Sequence, residues 1–165
     1  MQRIAKITPC LWFHRDAEEA AQFYVGVFPE SRITAISRYG EAGREFHGKE
    51  PGEVLTVAFE LCGQSFTILN GSQAFPFTAA ISFQVSCETQ DEIDYYWDRL
   101  GEGGDEAARQ CGWLADKYGM SWQIVPSMIA ELLDSSQPER VNRVMAALMP
   151  MKKLDIAALR QAWAG

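Results

Sequence analysis

The sequence predicts an α+β protein of two like halves, each running strand, capped helix and further strands that close in a glycine-turn hairpin. Residues 111–126, CGWLADKYGMSWQIVP, carry the first observation: arms 111–115 and 121–125 flank an Asp-Lys-Tyr-Gly turn in which Gly119 supplies the backbone freedom. Residues 61–69, LCGQSFTIL, carry the second, repeating that shape with Gly63 matching Gly119, Phe66 matching Trp122 and Thr67 matching Gln123. The third is a repeated helix signature. Asp16 with Glu19, and Thr89 with Glu92, have capping-box spacing. Apolar stripes follow both, Ala20, Phe23, Tyr24 and Val27 in one and Ile93, Tyr96, Trp97 and Leu100 in the other. A divergent repeat on this scale implies two similar modules about a pseudo-twofold axis. Within one domain the boundaries fall at 1–71 for the first module, 72–79 for a linker, 80–126 for the second module and 127–165 for a helical extension.

Residues 7–13 read as the first strand, with Leu11 and Phe13 on one face and Cys10 and Trp12 on the other; Pro9 suits an edge. The first helix follows from Asp16 and stops at Pro29, and residues 31–39 read as a second strand. Residues 40–52, with His47 and Pro51, read as a mobile polar loop long enough to act as a flap. Strands at 54–61 and 64–69 then form a hairpin about Cys62-Gly63. Residues 80–87 open the second half, with Ile81, Phe83 and Val85 on one face and Ala80, Ser82 and Gln84 on the other. Its helix ends at Gly101, Gly103 and Gly104. In the last hairpin arm Trp122 and Ile124 point one way, Ser121, Gln123 and Val125 the other.

Beyond Pro126 the pattern turns helical: Ser127 caps residues 128–134, Pro138 opens a helix to Met149, and Asp155 caps a last one to Trp163. The Met-rich segment 144–151 reads as core first and as a dimer contact second. Helices would cover one face of the curved mixed sheet through the Leu11/Phe13 and Phe83/Val85 sides, leaving the polar faces to line a cup.

Composition excludes several classes of partner. A net charge of −7 with scattered basic residues, the densest pair being Lys152-Lys153, argues against nucleic acid. No apolar run approaches a membrane span and MQRIAKITPC lacks a signal-peptide core, so the expected location is cytoplasmic, away from membranes. The four cysteines, Cys10, Cys62, Cys87 and Cys111, form no C-x-x-C pair and read as reduced thiols. Only His14 and His47 could join them, which argues against structural zinc. No G-x-S-x-G, phosphate loop or Ser/His/Asp order is present, and Gly101–Gly104 follows a helix, as a helix stop does.

The segments ITPCLWF, AEEAAQFYVGVFPESRI, AISFQVSCETQDEIDYYWDRLGEGG, CGWLADKYGMSWQIVP and MKKLDIAALRQAW together resemble the PhnB-like branch of the vicinal oxygen chelate superfamily. That superfamily includes glyoxalase I, fosfomycin- and bleomycin-resistance proteins and extradiol dioxygenases; the branch often carries the label 3-demethylubiquinone-9 3-methyltransferase. The resemblance implies paired βαβββ modules and a homodimer. It also implies a divalent metal held by His and Glu at positions that here fall on Thr8, Thr67, Ala80 and Gln123. None of these is a good ligand, because Ala80 has no donor, Gln123 is a neutral amide and hydroxyls bind such ions weakly. The expectation is therefore no metal and no cofactor. The methyltransferase label has no support in the residues, since no glycine-rich loop with a downstream acid is present.

The inward faces implied by the resemblance offer Thr8, Cys10, Trp12, Thr67, Ser82, Gln84, Ser121 and Gln123 as ligand-binding candidates. This neutral lining suits a small, partly apolar molecule; the alternative is that its members satisfy one another. Trp113 and Trp122 read as core, and Asp116 and Lys117 as surface turn residues at the rim. His14 and His47 read as turn and loop residues, with His47 reaching a ligand if its loop closes. Function then divides between binding or sequestering a small molecule and metal-free catalysis using Cys10, His47 or Asp116, with metal-dependent chemistry third.

Overall fold

The computed structural model describes residues 6–165 and divides into two compact units, Met1–Pro76 and Phe77–Gly165. The first five residues, part of the stretch read for a targeting signal, lie outside it.

The first unit contains strands β1 (Cys10–Phe13), β2 (Arg32–Arg38), β3 (Val54–Leu61) and β4 (Gln64–Asn70) and helices α1 (Ala17–Val27) and α2 (Arg44–His47). Its sheet has the order β1-β4-β3-β2, with β1 parallel to β4 and the other pairs antiparallel. Alternation sends Leu11, Phe13, Val57, Phe59, Leu61, Phe66 and Ile68 to one buried face. Helix α1 packs there through Ala17, Ala20, Ala21, Tyr24 and Val27, and Tyr24 stacks on Phe59 at 6.3 Å between centroids. Phe23, expected in that stripe, is only half-buried, and the small Ala17 and Ala21 take the close-packed positions instead.

Three further expectations do not hold. The first strand begins at Cys10, not residue 7: Ile7 is 86% exposed, and Pro9, which has no N–H, pairs only through its carbonyl with Thr67 N at 2.9 Å. Asp16 makes no side-chain cap on α1; the amide of Asn70 supplies it, with Oδ1 accepting from Ala17 N at 3.1 Å. The segment 40–52 is not loop throughout, for it holds α2, its His47 ring lies 4.4 Å from that of Tyr39, and Lys49 is buried. The β3–β4 hairpin matches its expected form, with Cys62 at φ 47° and Gly63 at φ 81° as a two-residue turn of the type that suits strand twist.

The second unit contains β5 (Ser82–Cys87), α3 (Gln90–Gly101), a 3-10 turn (Glu106–Ala108), β6 (Trp113–Ala115), β7 (Ser121–Pro126), α4 (Ile129–Leu132), α5 (Pro138–Leu148) and α6 (Ile156–Ala164). Its sheet has three strands in the order β5-β7-β6, β5 parallel to β7 and β6 antiparallel. Where the first unit has β2, this one has the 3-10 turn and a single bridge from Gln110 to Trp113. Cys111, expected in the hairpin arm, sits with Gly112 in a tight turn at φ 51° and 84°. The fifth strand starts at Ser82, leaving Ala80 and Ile81 exposed ahead of it; Val85 is buried as expected and Cys87 with it, while Phe83 is half-buried.

The capping box of α3 forms. Glu92 N donates to Thr89 Oγ1 at 3.2 Å, while the Glu92 carboxylate reaches one residue further back to Glu88 N at 2.6 Å. Ser127 does not act as a helix cap; α4 is a short turn that begins after Met128 without a side-chain cap. Pro138 and Asp155 open α5 and α6 as expected, Asp155 accepting from Ala158 N at 2.9 Å. The extension closes a second core of Val125, Leu132, Val144, Leu148, Leu154 and Leu159, while Met145 and Met149 lie exposed outside it. Among the described residues no helix is long and apolar enough to cross a membrane.

Candidate functional site

In the second unit, parallel pairing sets Ser82 beside Ser121 and Gln84 beside Gln123, so these residues share one face. Antiparallel pairing puts Trp113 of β6 opposite Gln123, on that same face. Gln84 Nε2 donates to Gln123 Oε1 at 3.1 Å, and Gln123 Nε2 donates to Ser82 Oγ at 2.7 Å. The middle amide is used at both ends, accepting from one neighbour and donating to the other. This relay leaves the Gln84 carbonyl as an acceptor at one end and the Ser82 hydroxyl proton as a donor at the other. Ser121 is buried at the strand end. Trp113 is half-buried beside the relay rather than in the core, whereas Trp122 is core as expected. Strict alternation about buried Leu114 is the signal that places Trp113 there.

In the first unit, Cys10 pairs with Thr67 and Trp12 with Leu69 on the face turned away from α1. Cys10 is exposed, Thr67 half-buried, and Thr8 lies exposed ahead of the strand and outside its register. Trp12 is a fixed wall. Its Nε1 donates to Gln73 O at 2.6 Å, Phe75 meets its ring edge-on at 5.3 Å, and Gly71 lies so close that a Cβ would sit 1.8 Å from the indole. Across β3 and β2 the same face carries a Ser37–Thr56 hydroxyl hydrogen bond of 2.5 Å and an Arg32–Glu60 ion pair of 2.7 Å.

The four positions tied by resemblance to a divalent metal do not make a donor set. Thr8 and Ala80 precede their strands, and the Gln123 amide is spent at both ends on Gln84 and Ser82. Within its own sheet, Thr67 stands opposite Cys10 rather than Thr8, and Gln123 opposite Gln84 rather than Ala80. Among the described residues no group of three or more His, Cys, Asp or Glu side chains is placed to hold a metal ion.

The acid–base candidates are largely tied up in structure. Asp116, expected on the surface, is 2% exposed: Oδ1 accepts from Tyr118 N and Met120 N, and Oδ2 accepts from Trp122 Nε1 at 2.9 Å. It is the keystone of the β6–β7 turn. His47 Nδ1 accepts from Lys49 N at 3.0 Å, which puts its proton on Nε2, and Nε2 donates to Ala42 O at 3.2 Å. Burial, reinforced by Glu92, pushes the Cys87 thiol up to about 12. Of the named groups, Cys10 remains exposed on its sheet face.

A cleft of about 760 Å³ lies within the first unit, lined among others by His14, Asp16, His47, Lys49, Glu53 and Asn70. Asn70 frames it. Besides capping α1, its Nδ2 donates to Arg15 O and Val54 O at 3.1 Å, and its carbonyl accepts from Tyr39 OH at 2.6 Å. Burial, with Glu53 second, raises the Tyr39 pKa, so the phenol stays a donor. No sequence signal points to Lys49 or Asn70, since their roles arise from contacts made across 35 and 53 residues of chain.

Residues 5–125 match the family model described as 3-demethylubiquinone-9 3-methyltransferase. A protein from Bacillus cereus described as a putative 3-demethylubiquinone-9 3-methyltransferase, PhnB protein, is 38% identical over 74% of this chain and 99% of its own, with a TM-score of 0.64. The chain belongs to the PhnB-like branch of the vicinal oxygen chelate superfamily. Solved structures at lower identity share the fold of the branch. Protein PA1353 from Pseudomonas aeruginosa has 15% identity over 74% of this chain and 98% of its own, with a TM-score of 0.57. A fosfomycin resistance protein, FosX, from Listeria monocytogenes has 14% identity over 79% and 97%, with a TM-score of 0.55. Comparison with curated proteins finds no match. The methyltransferase of the family description has no counterpart in the strand-to-helix turns: His14-Arg15-Asp16 follows β1 and Glu88-Thr89 follows β5, neither with the glycines that let a backbone approach a nucleotide-like donor.

Proposed function

We propose that this PhnB-like protein binds a small, partly apolar molecule on the polar faces of its sheets, through Thr8, Cys10, Trp12 and Thr67 in one module and Ser82, Gln84, Ser121 and Gln123 in the other. The observation that carries the reading is the Gln84–Gln123–Ser82 relay, which presents one acceptor and one donor on a face with half-buried Trp113. Such a relay lowers the ordering cost of binding, because its side chains are already held in place. The resistance-protein members of the superfamily support sequestration as the purpose. A homodimer is part of the proposal and rests on the family resemblance; a cytoplasmic location is also part of it and rests on the apolar pattern of the sequence. Binding is preferred to metal-free catalysis because Asp116 and His47 have their polar atoms engaged in turn and loop structure.

A native mass spectrum of freshly purified protein tests the reading, with a dimer carrying additional small-molecule mass as the expected result. The Gln123→Ala and Ser82→Ala variants should lose that mass, or bind the released compound about tenfold more weakly, as loss of a hydrogen bond to a ligand implies. Unchanged binding in both variants would sink the sheet-face site.

A further inference from the structure

We infer that the Lys49 cleft of the first module is a second binding site, built for a small amphoteric molecule that carries both a carboxylate and an ammonium group. Its central feature is a buried charge without a counter-charge. Lys49 is 8% exposed, its Nζ donates to His14 O at 2.7 Å, and among the described residues no carboxylate pairs with it. One carbonyl uses one of three ammonium hydrogens, and buried lysines are rare unless paired. Among the described residues no carboxylate comes within ion-pair distance of this ammonium, although several line the same cleft.

His14 lines the same cleft. His14 Nδ1 is buried and has no hydrogen-bond partner, in contrast to His47, whose nitrogens are both occupied. The Lys49 ammonium, with two hydrogens beyond the one given to His14 O, suits a carboxylate. A purely anionic ligand is disfavoured, however, because Asp16, Glu18, Glu19 and Glu53 also line the cleft. Asp16 is free to receive a cation in one respect that matters: its carboxylate does not cap α1, a task already done by Asn70. A molecule bearing both signs satisfies Lys49 at one end and Asp16 at the other. A volume of about 760 Å³ admits an amino acid with a substantial side chain. The walls are held in advance by the Asn70 and Tyr39 hydrogen bonds.

The test is a heteronuclear NMR titration of the full-length protein with each standard L-amino acid, with acetate and methylammonium as single-charge probes. At least one amino acid should produce saturable shifts at the Gly48, Lys49 and Ser72 amides, and both single-charge probes should bind at least about tenfold more weakly. Lys49→Met should weaken the amino acid by a similar factor while melting no lower than the parent without ligand, since a buried unpaired ammonium is removed. Asp16→Asn, a change at an exposed residue, should weaken it too and decides the matter should Lys49→Met fail to fold. Gln123→Ala should leave the titration unchanged, which separates this site from the sheet-face site. Absence of saturable shifts with every amino acid, acetate binding as well as the best of them, or full affinity in Asp16→Asn would each overturn the proposal.

Discussion

Helix α1 of the first module starts under a side chain that arrives from the far end of the chain's fourth strand, whereas α3 of the second is capped by the residue beside it. Asn70 closes the first turn of α1 and ties down two carbonyls with the same amide. Thr89 closes the first turn of α3 with one hydroxyl, and Gln90 then clamps the C-terminal extension through Leu154 O at 3.1 Å and Ile156 N at 2.9 Å. The same need, to satisfy orphan N–H groups, is met by tertiary structure in one copy and by local sequence in the other. The consequence is that the first module's helix start, sheet end and cleft stand or fall together. In the second module the corresponding cap is a local matter.

The largest expected effect breaks that contrast directly. Asn70→Ala leaves the Ala17 N–H and the Arg15 and Val54 carbonyls without their partner, so the loss should be about 4 kcal/mol, several buried unsatisfied groups at roughly 1–3 each. Urea unfolding checks the magnitude. A loss no greater than that of Thr89→Ala would mean the distant cap has no special standing. Next comes Gly104→Ala, where an added Cβ would lie 2.0 Å from the Ala115 carbonyl oxygen. Backbone must move to admit it, at about 3 kcal/mol by the scale of overpacked cores. Its effect should appear as faster hydrogen exchange in β6 and β7, with the first module untouched. The smallest effect sharpens the comparison from the other side: Thr89→Ala should cost about 1 kcal/mol in the same urea experiment.

Much of this architecture was legible because it depends on short-range rules. The Cys62-Gly63 and Gly119 turns, the Thr89 cap and the Pro138 and Asp155 helix starts all follow from one residue's preference within a few positions. The site was legible only in part. Alternation placed Ser82, Gln84 and Gln123 on one face but could not order them into a relay, because strand register decides which amide meets which hydroxyl. It also put Cys111 in a strand, whereas Cys111 and Gly112 bend together so that their N–H groups reach Met151 O and Lys152 O, both at 2.8 Å, in the extension. Asp116 looked like a surface turn residue because nothing in its neighbours announces the Trp122 indole folding back onto it.

The sequence by itself determined that the chain is α+β, that it repeats a strand–helix–hairpin theme, where its tight turns lie and to which superfamily branch it belongs. Periodicity, caps and glycine positions are local, and local free energies already distinguish their outcomes. Tertiary structure alone decided that Asn70 rather than Asp16 caps α1, that Lys49 is buried beside His14, and that Gln84, Gln123 and Ser82 form a chain. These are contacts between residues far apart in sequence, and their partners are chosen by register and packing, which no single segment encodes.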